Sequence, residues 1–335
     1  MKKYSLMILL MIVCNSLFGQ ANSGSFSIIK TIKVPGDEKW DFSAVDETHH
    51  RLFLSHETRV QVLDLKTDSI IGEIPNTPGV HGIAFAYDLN RGFTSNGDAS
   101  SVTMFDLERL TVIKTIKVTG NDPDAILYDT FTQQVFTFNA DSKSSTVINA
   151  KTGDVVKTID LKGSPEFAVT DNKGKIFLNL EKQNQLLVIN TKTFAIESRW
   201  DLAPCEGPTG LALDAKNNRV FTGCRGNKGL SVVDATSGKV ITTLPIGATV
   251  DAVCFDAARQ LIFVSNGDGT LNIFRQLSAD SYSPLQTVIT MPRSKTMALD
   301  QQTHLVYVSA ADFTADKSVV HNTFGVLVIA STGVK

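Results

Sequence analysis

Apolar and polar residues alternate with a period of two in short runs along almost the whole chain. Typical runs are RLFLS at 51–55, VQVLDLKT at 60–67 and SIIGEI at 69–74, and Gly, Asp, Asn or Pro separates one run from the next. This alternation predicts β-strands joined by turns, and no stretch has the sustained 3.6-residue period of a helix. The sequence therefore predicts an all-β protein.

The strand-like runs are organised into units of about 42 residues. In each unit a short apolar segment, usually ending in Asp, is followed about seven residues later by an aromatic residue in an alternating run. These aromatic residues are Phe53, Phe93, Phe136, Phe177, Phe221, Phe263 and Tyr307, spaced 40 to 44 residues apart. Four short strands in a unit of this length are typical of a β-propeller blade, so seven units predict a seven-bladed propeller of four-stranded blades.

A duplicated segment indicates how the ring closes. SIIKTIKVPG at 27–36 returns as TVIKTIKVTG at 111–120, which is the fourth strand of the second unit. The earlier copy stands two units back, and the seventh unit has only three strands of its own. We expect the N-terminal strand to complete blade seven, which removes the open edges of the sheet array. One propeller domain would then span 26–333.

The first 21 residues have the pattern of a secretory signal peptide. Lys2 and Lys3 precede an apolar run at 6–13, and Gly19 and Ala21 follow as small residues near a cleavage site. This pattern predicts export to the periplasm or the extracellular space. Without the two lysines the net charge changes from −2 to −4, which does not favour nucleic acid as a partner. We expect a monomer with no transmembrane segment.

Three repeat segments carry a family resemblance: FTSNGDASSVTMFD at 93–106, IFVSNGDGTLNIF at 262–274 and VYVSA at 306–310. They resemble the YVTN repeats of YncE-like secreted β-propellers, and the resemblance covers essentially the whole mature chain. The resemblance implies the propeller fold. For the function, we expect a scaffold that holds a small molecule, a peptide or an envelope protein at the channel mouth. Lactonase-type propellers share the architecture, so a metal-dependent hydrolase with its site in the central channel is the alternative.

Aligning the units identifies a candidate site at the channel mouth. The position twelve residues before each aromatic residue lies at the start of the inner strand, and it varies from blade to blade. It is occupied by Asp41, His81, Asp124, Glu166 after one gap, Thr209, Asp251 and Lys295. Three residues after the aromatic we expect a second polar ring, including His56, Asn96, Asn139 and Asn266, with Trp40 and Arg225 beside the two rings. A propeller channel without any ligand would also be lined by polar residues.

Two imidazoles and a carboxylate suggest a metal site in this channel. His56, His81 and Asp41 would suit Zn²⁺ or another transition metal, and a carboxylate-rich channel could instead hold Ca²⁺. No phosphate loop, nucleophile elbow or zinc-protease motif occurs in the sequence. The sequence therefore favours a binding protein over an enzyme.

Two further features concern the same face of the propeller. Cys205 and Cys224 are expected there, either as a disulfide or as buried free thiols, while Cys254 is expected in the core. The seventh unit carries an insertion of about seven residues at 310–324, which includes Asp312 and His321. A loop on a rigid scaffold commonly carries binding, although a neutral insertion would give the same pattern.

Overall fold

A computed structural model describes residues 24–294 and 296–333, so the predicted signal peptide at 1–21 and Lys295 lie outside the described residues. The described chain forms seven four-stranded antiparallel sheets arranged in a ring. The helical content there consists of two short 3₁₀ turns, Tyr87–Leu89 and Glu181–Gln183. The predicted all-β, seven-bladed propeller is confirmed.

The strands follow one another from the channel outwards in every blade. Blade one consists of β2 (Trp40–Asp46), β3 (Arg51–His56), β4 (Arg59–Asp64) and β5 (Ser69–Ile74), and blade two of β6 (Val80–Ala86), β7 (Arg91–Asn96), β8 (Ser101–Asp106) and β9 (Thr111–Lys117). Blade three consists of β10 (Pro123–Asp129), β11 (Gln134–Asn139), β12 (Ser144–Asn149) and β13 (Val155–Asp160), and blade four of β14 (Pro165–Thr170), β15 (Lys175–Leu180), β16 (Gln185–Asn190) and β17 (Ile196–Asp201). Blade five consists of β18 (Pro208–Asp214), β19 (Arg219–Cys224), β20 (Gly229–Asp234) and β21 (Val240–Pro245), and blade six of β22 (Val250–Asp256), β23 (Leu261–Asn266), β24 (Thr270–Ser278) and β25 (Ser281–Ile289). Blade seven consists of β26 (Met297–Leu299), β27 (Val306–Ala310), β28 (Gly325–Thr332) and β1 (Ser25–Lys33).

The N-terminal strand closes the ring, as the duplicated segment predicts. β1 pairs antiparallel with β28 and becomes the outer strand of blade seven. The inner strand β26 of that blade contacts β2 of blade one. Just beyond β1, the Val34 N–H donates to the Phe324 carbonyl oxygen at 3.1 Å. The first and last segments of the chain are therefore joined by strand pairing.

The core lies between adjacent blades and is built on the repeated aromatic residues. Phe53 is fully buried and packs against Phe85 and Phe105 of the next blade, with ring centroids 4.9 and 5.9 Å apart. Burial of one such side chain stabilises a fold by about 1.5–3 kcal/mol. The repeated aromatic residue is buried in all seven blades, so this position barely varies between units.

The cysteines of blade five form a disulfide in the structure. Cys205 and Cys224 are bonded with their Cα atoms 5.2 Å apart, and both are buried. Cys254 is a free thiol packed against the core between blades six and seven, and burial raises the pKa of this thiol to about 12. Within residues 24–294 and 296–333, no helix is long and apolar enough to cross a membrane.

Candidate functional site

The inner strands change register at the position that the sequence alignment singles out. β2 pairs with β3 at Trp40 and again at Ser43, which leaves Asp41 and Phe42 outside the ladder. The same break occurs in β6, β10, β14 and β18, and a shorter one occurs at Asp251 in β22. A bulge of this kind bends a strand and re-aims its side chains, which here turns the site residue into the channel in every such blade except blade five.

The neighbouring blade satisfies backbone groups that these breaks release. Ser55 Oγ donates to the carbonyl oxygen of His81, and Ser95 Oγ donates in the same way to Asp124. Asn179 Nδ2 donates to the Thr209 carbonyl oxygen at 2.8 Å. Each donor stands two residues after the repeated aromatic, so a polar residue at that position holds the next blade's site residue in place.

The re-aimed side chains enclose a cavity of about 260 Å³ at the channel mouth. We call it the channel cup. Its polar wall consists of Asp41, His81, Asp124, Glu166, Arg225 and Asp251. Its apolar lining consists of Phe42, Gly82, Ala125, Ile126, Phe167 and Ala168.

His81 lies among three aspartates. Its Nδ1 is 2.7 Å from Asp41 Oδ2 and 3.8 Å from Asp124 Oδ1, and its Nε2 is 3.7 Å from Asp122 Oδ1. Burial opposes the charged ring, but the hydrogen bond to Asp41 and the aspartate charges outweigh burial and raise the pKa of His81 to about 9. The ring is therefore an imidazolium at neutral pH.

Two carboxyl groups of the cup hold their protons unusually strongly. Burial and the negative charge of Asp41 raise the pKa of Asp124 to about 6, even though the His81 cation favours the ionised form. Burial, and after it the charges of Asp124 and Glu181, raise the pKa of Glu166 to about 8. Glu166 is therefore mostly protonated at neutral pH, because an additional negative charge in the cup is unfavourable.

Arg225 is the second cation of the cup and joins blade five to blades four and six. Its Nη1 lies 3.0 Å from Glu181 Oε1, and its Nη2 lies 3.1 Å from Asp251 Oδ1. Its Nε donates to the Val250 carbonyl oxygen at 3.2 Å. Both ends of the guanidinium are thus engaged, and the side chain is fixed as part of the wall.

Two phenyl rings meet across the channel at the apolar end of the cup. Phe42 belongs to blade one and Phe167 to blade four, yet their ring centroids are only 5.7 Å apart. The contact narrows the channel and gives the cup an aromatic base. Sequence alignment shows both residues next to the site position, but it gives no sign that they touch.

The predicted ring divides into residues that line the cup and residues that do not. Asp41, His81, Asp124, Glu166 and Asp251 line it, as does Arg225. Thr209 is fully buried, and its hydroxyl donates to the Gly207 carbonyl oxygen at 3.1 Å. The expectation that Thr209 faces a ligand is therefore wrong, and Lys295 is outside the described residues.

The predicted second ring is wrong, because its residues are buried inside their blades. Asn96, Asn139 and Asn266 are fully buried. The Asn96 amide donates to hydroxyls of the third strand of its own blade, and the other two asparagines do the same. These amides tie the second strand to the third and are not available to a ligand in the channel.

His56 is also buried, which corrects the predicted metal set. Its Nδ1 lies 2.8 Å from Gln61 Oε1, and its Nε2 lies 2.9 Å from the Glu38 carbonyl oxygen. Both nitrogens are hydrogen-bonded to oxygen atoms, so neither is free to bind a metal. The group in the described chain that could hold an ion is Asp41, His81 and Asp124, whose ligand atoms lie within 4.8 Å of one another.

Two features of the site escaped the sequence alignment. Asp122, beside His81, precedes the aligned position by two residues and belongs to a turn rather than to the strand. Gly97 follows β7, and a Cβ atom there would lie 2.8 Å from His81 Nε2 and 2.6 Å from Asp122 Oδ1. The GD and NG pairs in the loops are the available sequence signal, because such loops can approach a neighbouring side chain closely.

Trp40 lies beside the cup rather than in it. Its indole packs on Phe324 at 4.6 Å and on Phe313 at 5.7 Å between ring centroids, so it covers the seam between blades one and seven. Trp40 is therefore part of the seam and not of the lining of the cup.

Comparisons with known proteins support the fold. The sequence matches no protein-family model, and no curated protein matches it. Among solved structures, a chain of the hydrazine synthase of Kuenenia stuttgartiensis is 14% identical with a TM-score of 0.72, over 82% of this chain and 94% of that chain. A chain of the mitotic checkpoint complex is 11% identical with a TM-score of 0.76, over 97% and 99%. The WD40 repeats of RRP9 are 7% identical with a TM-score of 0.77, over 90% and 97%. Identities this low show the fold alone, which is a β-propeller.

Proposed function

We propose that this chain is an exported β-propeller of the YVTN type that acts as a binding scaffold and takes a small organic cation in its channel cup. The observation that carries the proposal is the charge of the cup. Among the described residues, six carboxyl groups (Asp41, Asp122, Asp124, Glu166, Glu181 and Asp251) surround two cationic side chains, His81 and Arg225.

The raised pKa values support a cation as the missing partner. Asp124 and Glu166 hold protons up to about pH 6 and pH 8, first because they are buried and then because the described residues of the cup carry an excess of negative charge. A cationic ligand would neutralise the same excess and would displace those protons. Protonation of Asp124 and Glu166 and binding of a cation are thus two alternative ways to offset the negative charge of the cup.

The size and the base of the cup point to an organic cation. A cavity of about 260 Å³ takes a small molecule and is below the usual range for drug-sized ligands. Phe42 and Phe167 line the cup, and an aromatic ring that meets an ammonium group with its face favours that group by about 0.5–2 kcal/mol. Carboxylates on the wall complete the environment that a quaternary or primary ammonium requires.

Calorimetric titration with three probes of similar size tests the proposal. Benzyltrimethylammonium is a permanent cation, benzyl alcohol is neutral and benzoate is an anion. On chelator-treated protein at pH 7.5 we expect the cation to bind at least tenfold more tightly than the alcohol, and Asp124→Asn to remove most of that preference. Equal affinities for the cation and the alcohol would refute the proposal.

A second candidate is a metal-dependent hydrolase of the lactonase type, and the Asp41, His81 and Asp124 group supports it. One imidazole and two carboxylates are ligands that Zn²⁺ accepts. A bound metal would supply a Lewis acid and an activated water molecule. Glu166, mostly protonated at neutral pH, would supply a proton donor in the same cup.

Elemental analysis separates this candidate from the first. Untagged protein would be measured by plasma mass spectrometry before and after chelator treatment, beside the variant His81→Gln. Near-stoichiometric zinc or calcium that His81→Gln loses would support the hydrolase. Metal-free protein whose unfolding midpoint is unchanged by chelator would refute it.

A further inference from the structure

A second cavity opens at the closure seam on the same face. We call it the seam cleft. It has a volume of about 610 Å³ and shares no lining residue with the channel cup. The residues that matter for its chemistry are Lys39, Trp40, Glu57, Arg293, Phe313 and Lys317.

The wall of the cleft is the insertion of blade seven, which is an ordered hairpin. Phe313 pairs with Val319 in an isolated bridge, and the Thr314 N–H donates to the Ser318 carbonyl oxygen at 2.9 Å. At the base of the hairpin, the Thr323 hydroxyl donates to the Val320 carbonyl oxygen at 2.7 Å. The insertion thus has a defined conformation against the seam.

The hairpin is fastened to the linker that follows β1. Asp37 accepts a hydrogen bond from the Asn322 N–H at 2.7 Å and contacts the His321 ring. Phe313 packs on the Trp40 ring, so hairpin and linker together form a continuous aromatic wall. The cleft is therefore bounded on two sides by segments that do not belong to the repeat.

Among the described residues, the cations that line the cleft have no acidic partner. Arg293 lies 4.4 Å above the ring centroid of Phe313, and its backbone N–H donates to the Gly267 carbonyl oxygen at 2.7 Å. In the part of the chain that the structure describes, neither Arg293 nor Lys39 nor Lys317 forms an ion pair. A guanidinium that uses its face on a ring keeps its N–H edge for a ligand.

One of the acids of the cleft, in contrast, is already paired with a cation. Glu38 forms an ion pair with Arg59 at 3.0 Å, and this contact first of all lowers the pKa of Glu38 to about 2. Asp37 accepts a hydrogen bond from the Asn322 N–H and contacts the His321 ring, and these contacts lower the pKa of its carboxyl group, which therefore keeps its negative charge. Glu57 is the other carboxylate of the lining. Outside the Glu38–Arg59 pair, the charges of the described lining are thus three cations and two anions, beside an aromatic wall.

We propose that the seam cleft is a second binding site, for an organic anion with a flat aromatic body. The body would lie on the wall of Trp40 and Phe313, and its carboxylate would reach Arg293 and Lys317. The volume is within the 300–1,000 Å³ range of small-molecule sites, and such sites typically join apolar walls to a few placed charges. This inference goes beyond the proposed cation site and does not depend on it.

Tryptophan emission gives a local readout for the test. The sequence contains two tryptophans, so Trp200→Phe leaves Trp40 as the single reporter, on the wall of the cleft. In this background, 2-naphthoate would be titrated beside 2-naphthylmethanol and 2-naphthylmethylammonium, with calorimetry for affinity and Trp40 emission for location. We expect the naphthoate to bind at least tenfold more tightly than the alcohol and to change the Trp40 emission.

Two variants test whether Arg293 supplies the positive charge that binds naphthoate. Arg293→Gln should weaken naphthoate binding about tenfold while the unfolding midpoint stays unchanged, since the side chain is exposed. Arg109→Gln, an arginine with 79% exposure in blade two, is the matched control and should change nothing. Equal affinity for naphthoate and alcohol, or unchanged affinity in Arg293→Gln, would overturn the proposal. The naphthoate titration is repeated in Asp124→Asn, so that a failure of the proposal for the cup can be distinguished from a failure of the proposal for the cleft.

Discussion

The channel cup and the seam cleft lie on one face of the propeller and have opposite chemistry. The cup is small, it is lined mainly by the repeated inner strands, and carboxyl groups outnumber its cations. The cleft is more than twice as large, it is built on a linker and an insertion, and outside the Glu38–Arg59 pair the cations of its described lining outnumber the carboxylates. The difference shows how a repeat protein can make two kinds of site. One kind of site forms where the residue at a fixed position of the repeat differs from blade to blade. The other kind forms from segments that are added to the repeat where the ring closes.

The largest expected effect is a loss of cation binding in the channel cup that leaves anion binding in the seam cleft unchanged. The double variant Asp41→Asn, Asp124→Asn removes two negative charges beside the cup. Because each is worth about 1–2 kcal/mol to a bound cation at an effective dielectric constant near 20 or above, we expect benzyltrimethylammonium binding to fall on the order of a hundredfold. Calorimetry should give an unchanged 2-naphthoate affinity in the same variant. A parallel loss of both affinities would mean that the two cavities are one site.

The next largest effect is a difference in pH dependence. Between pH 5.5 and 8.5, Asp124 and Glu166 lose protons around their pKa values of about 6 and about 8, and the cup becomes more negative. Benzyltrimethylammonium affinity should therefore rise roughly tenfold across this range. Glu38 in the cleft, with a pKa of about 2, stays ionised throughout and adds no pH dependence to naphthoate binding. Titrations at four pH values check both curves, and a level cation curve would contradict the account of the cup.

A smaller effect should follow from loosening the hairpin. Thr323→Val keeps the shape of the side chain but removes the hydroxyl that donates to Val320 and accepts from the Asp312 N–H at 3.1 Å. We expect naphthoate binding to weaken about threefold, since one hydrogen bond contributes about 0.5–1.5 kcal/mol. Cation binding in the cup should not change. Thr111→Val, on the exposed outer strand of blade two, is the control. A loss of cation affinity in Thr323→Val would show that the hairpin also serves the cup.

A further effect concerns stability rather than binding. Glu166 has a folded pKa of about 8 against an ordinary value of 4.5, so between these values the folded state binds more protons than the unfolded state. The free energy of unfolding should then fall as pH rises from about 5 to 8, and His81, with its raised pKa of about 9, extends the fall. Urea unfolding at several pH values should show a shallower slope for Glu166→Gln than for the wild type. An unchanged slope would remove Glu166 as the cause.

The sequence predicted the fold well because the propeller repeats one local pattern seven times. Each unit gives the same spacing between its Asp, its aromatic residue and its alternating runs, so a weak signal in one unit is confirmed by the others. The closure by β1 was predictable for the same reason, since the duplicated segment shows which strand is absent from blade seven.

The candidate site was predictable only where its position in the repeat decides its role. Asp41, His81, Asp124, Glu166 and Asp251 were found by alignment, because the start of the inner strand always lies at the channel. The asparagines of the second strand were misassigned, because alternation along a strand does not distinguish the channel from the space between blades. The contact between the Phe42 and Phe167 side chains across the channel depends on how the propeller closes in three dimensions, and so does the position of the Arg293 guanidinium on Phe313. No local sequence pattern predicts either contact.

The most direct test of the central comparison is a crystal structure of the protein grown with benzyltrimethylammonium and 2-naphthoate together. The account predicts the ammonium group in the channel cup, over Phe42 and Phe167 and beside Asp41. It predicts the naphthyl ring on the wall of Trp40 and Phe313, with its carboxylate at Arg293. Both probes in one cavity, or the naphthoate in the cup, would contradict the claim that this face carries two sites of opposite charge preference.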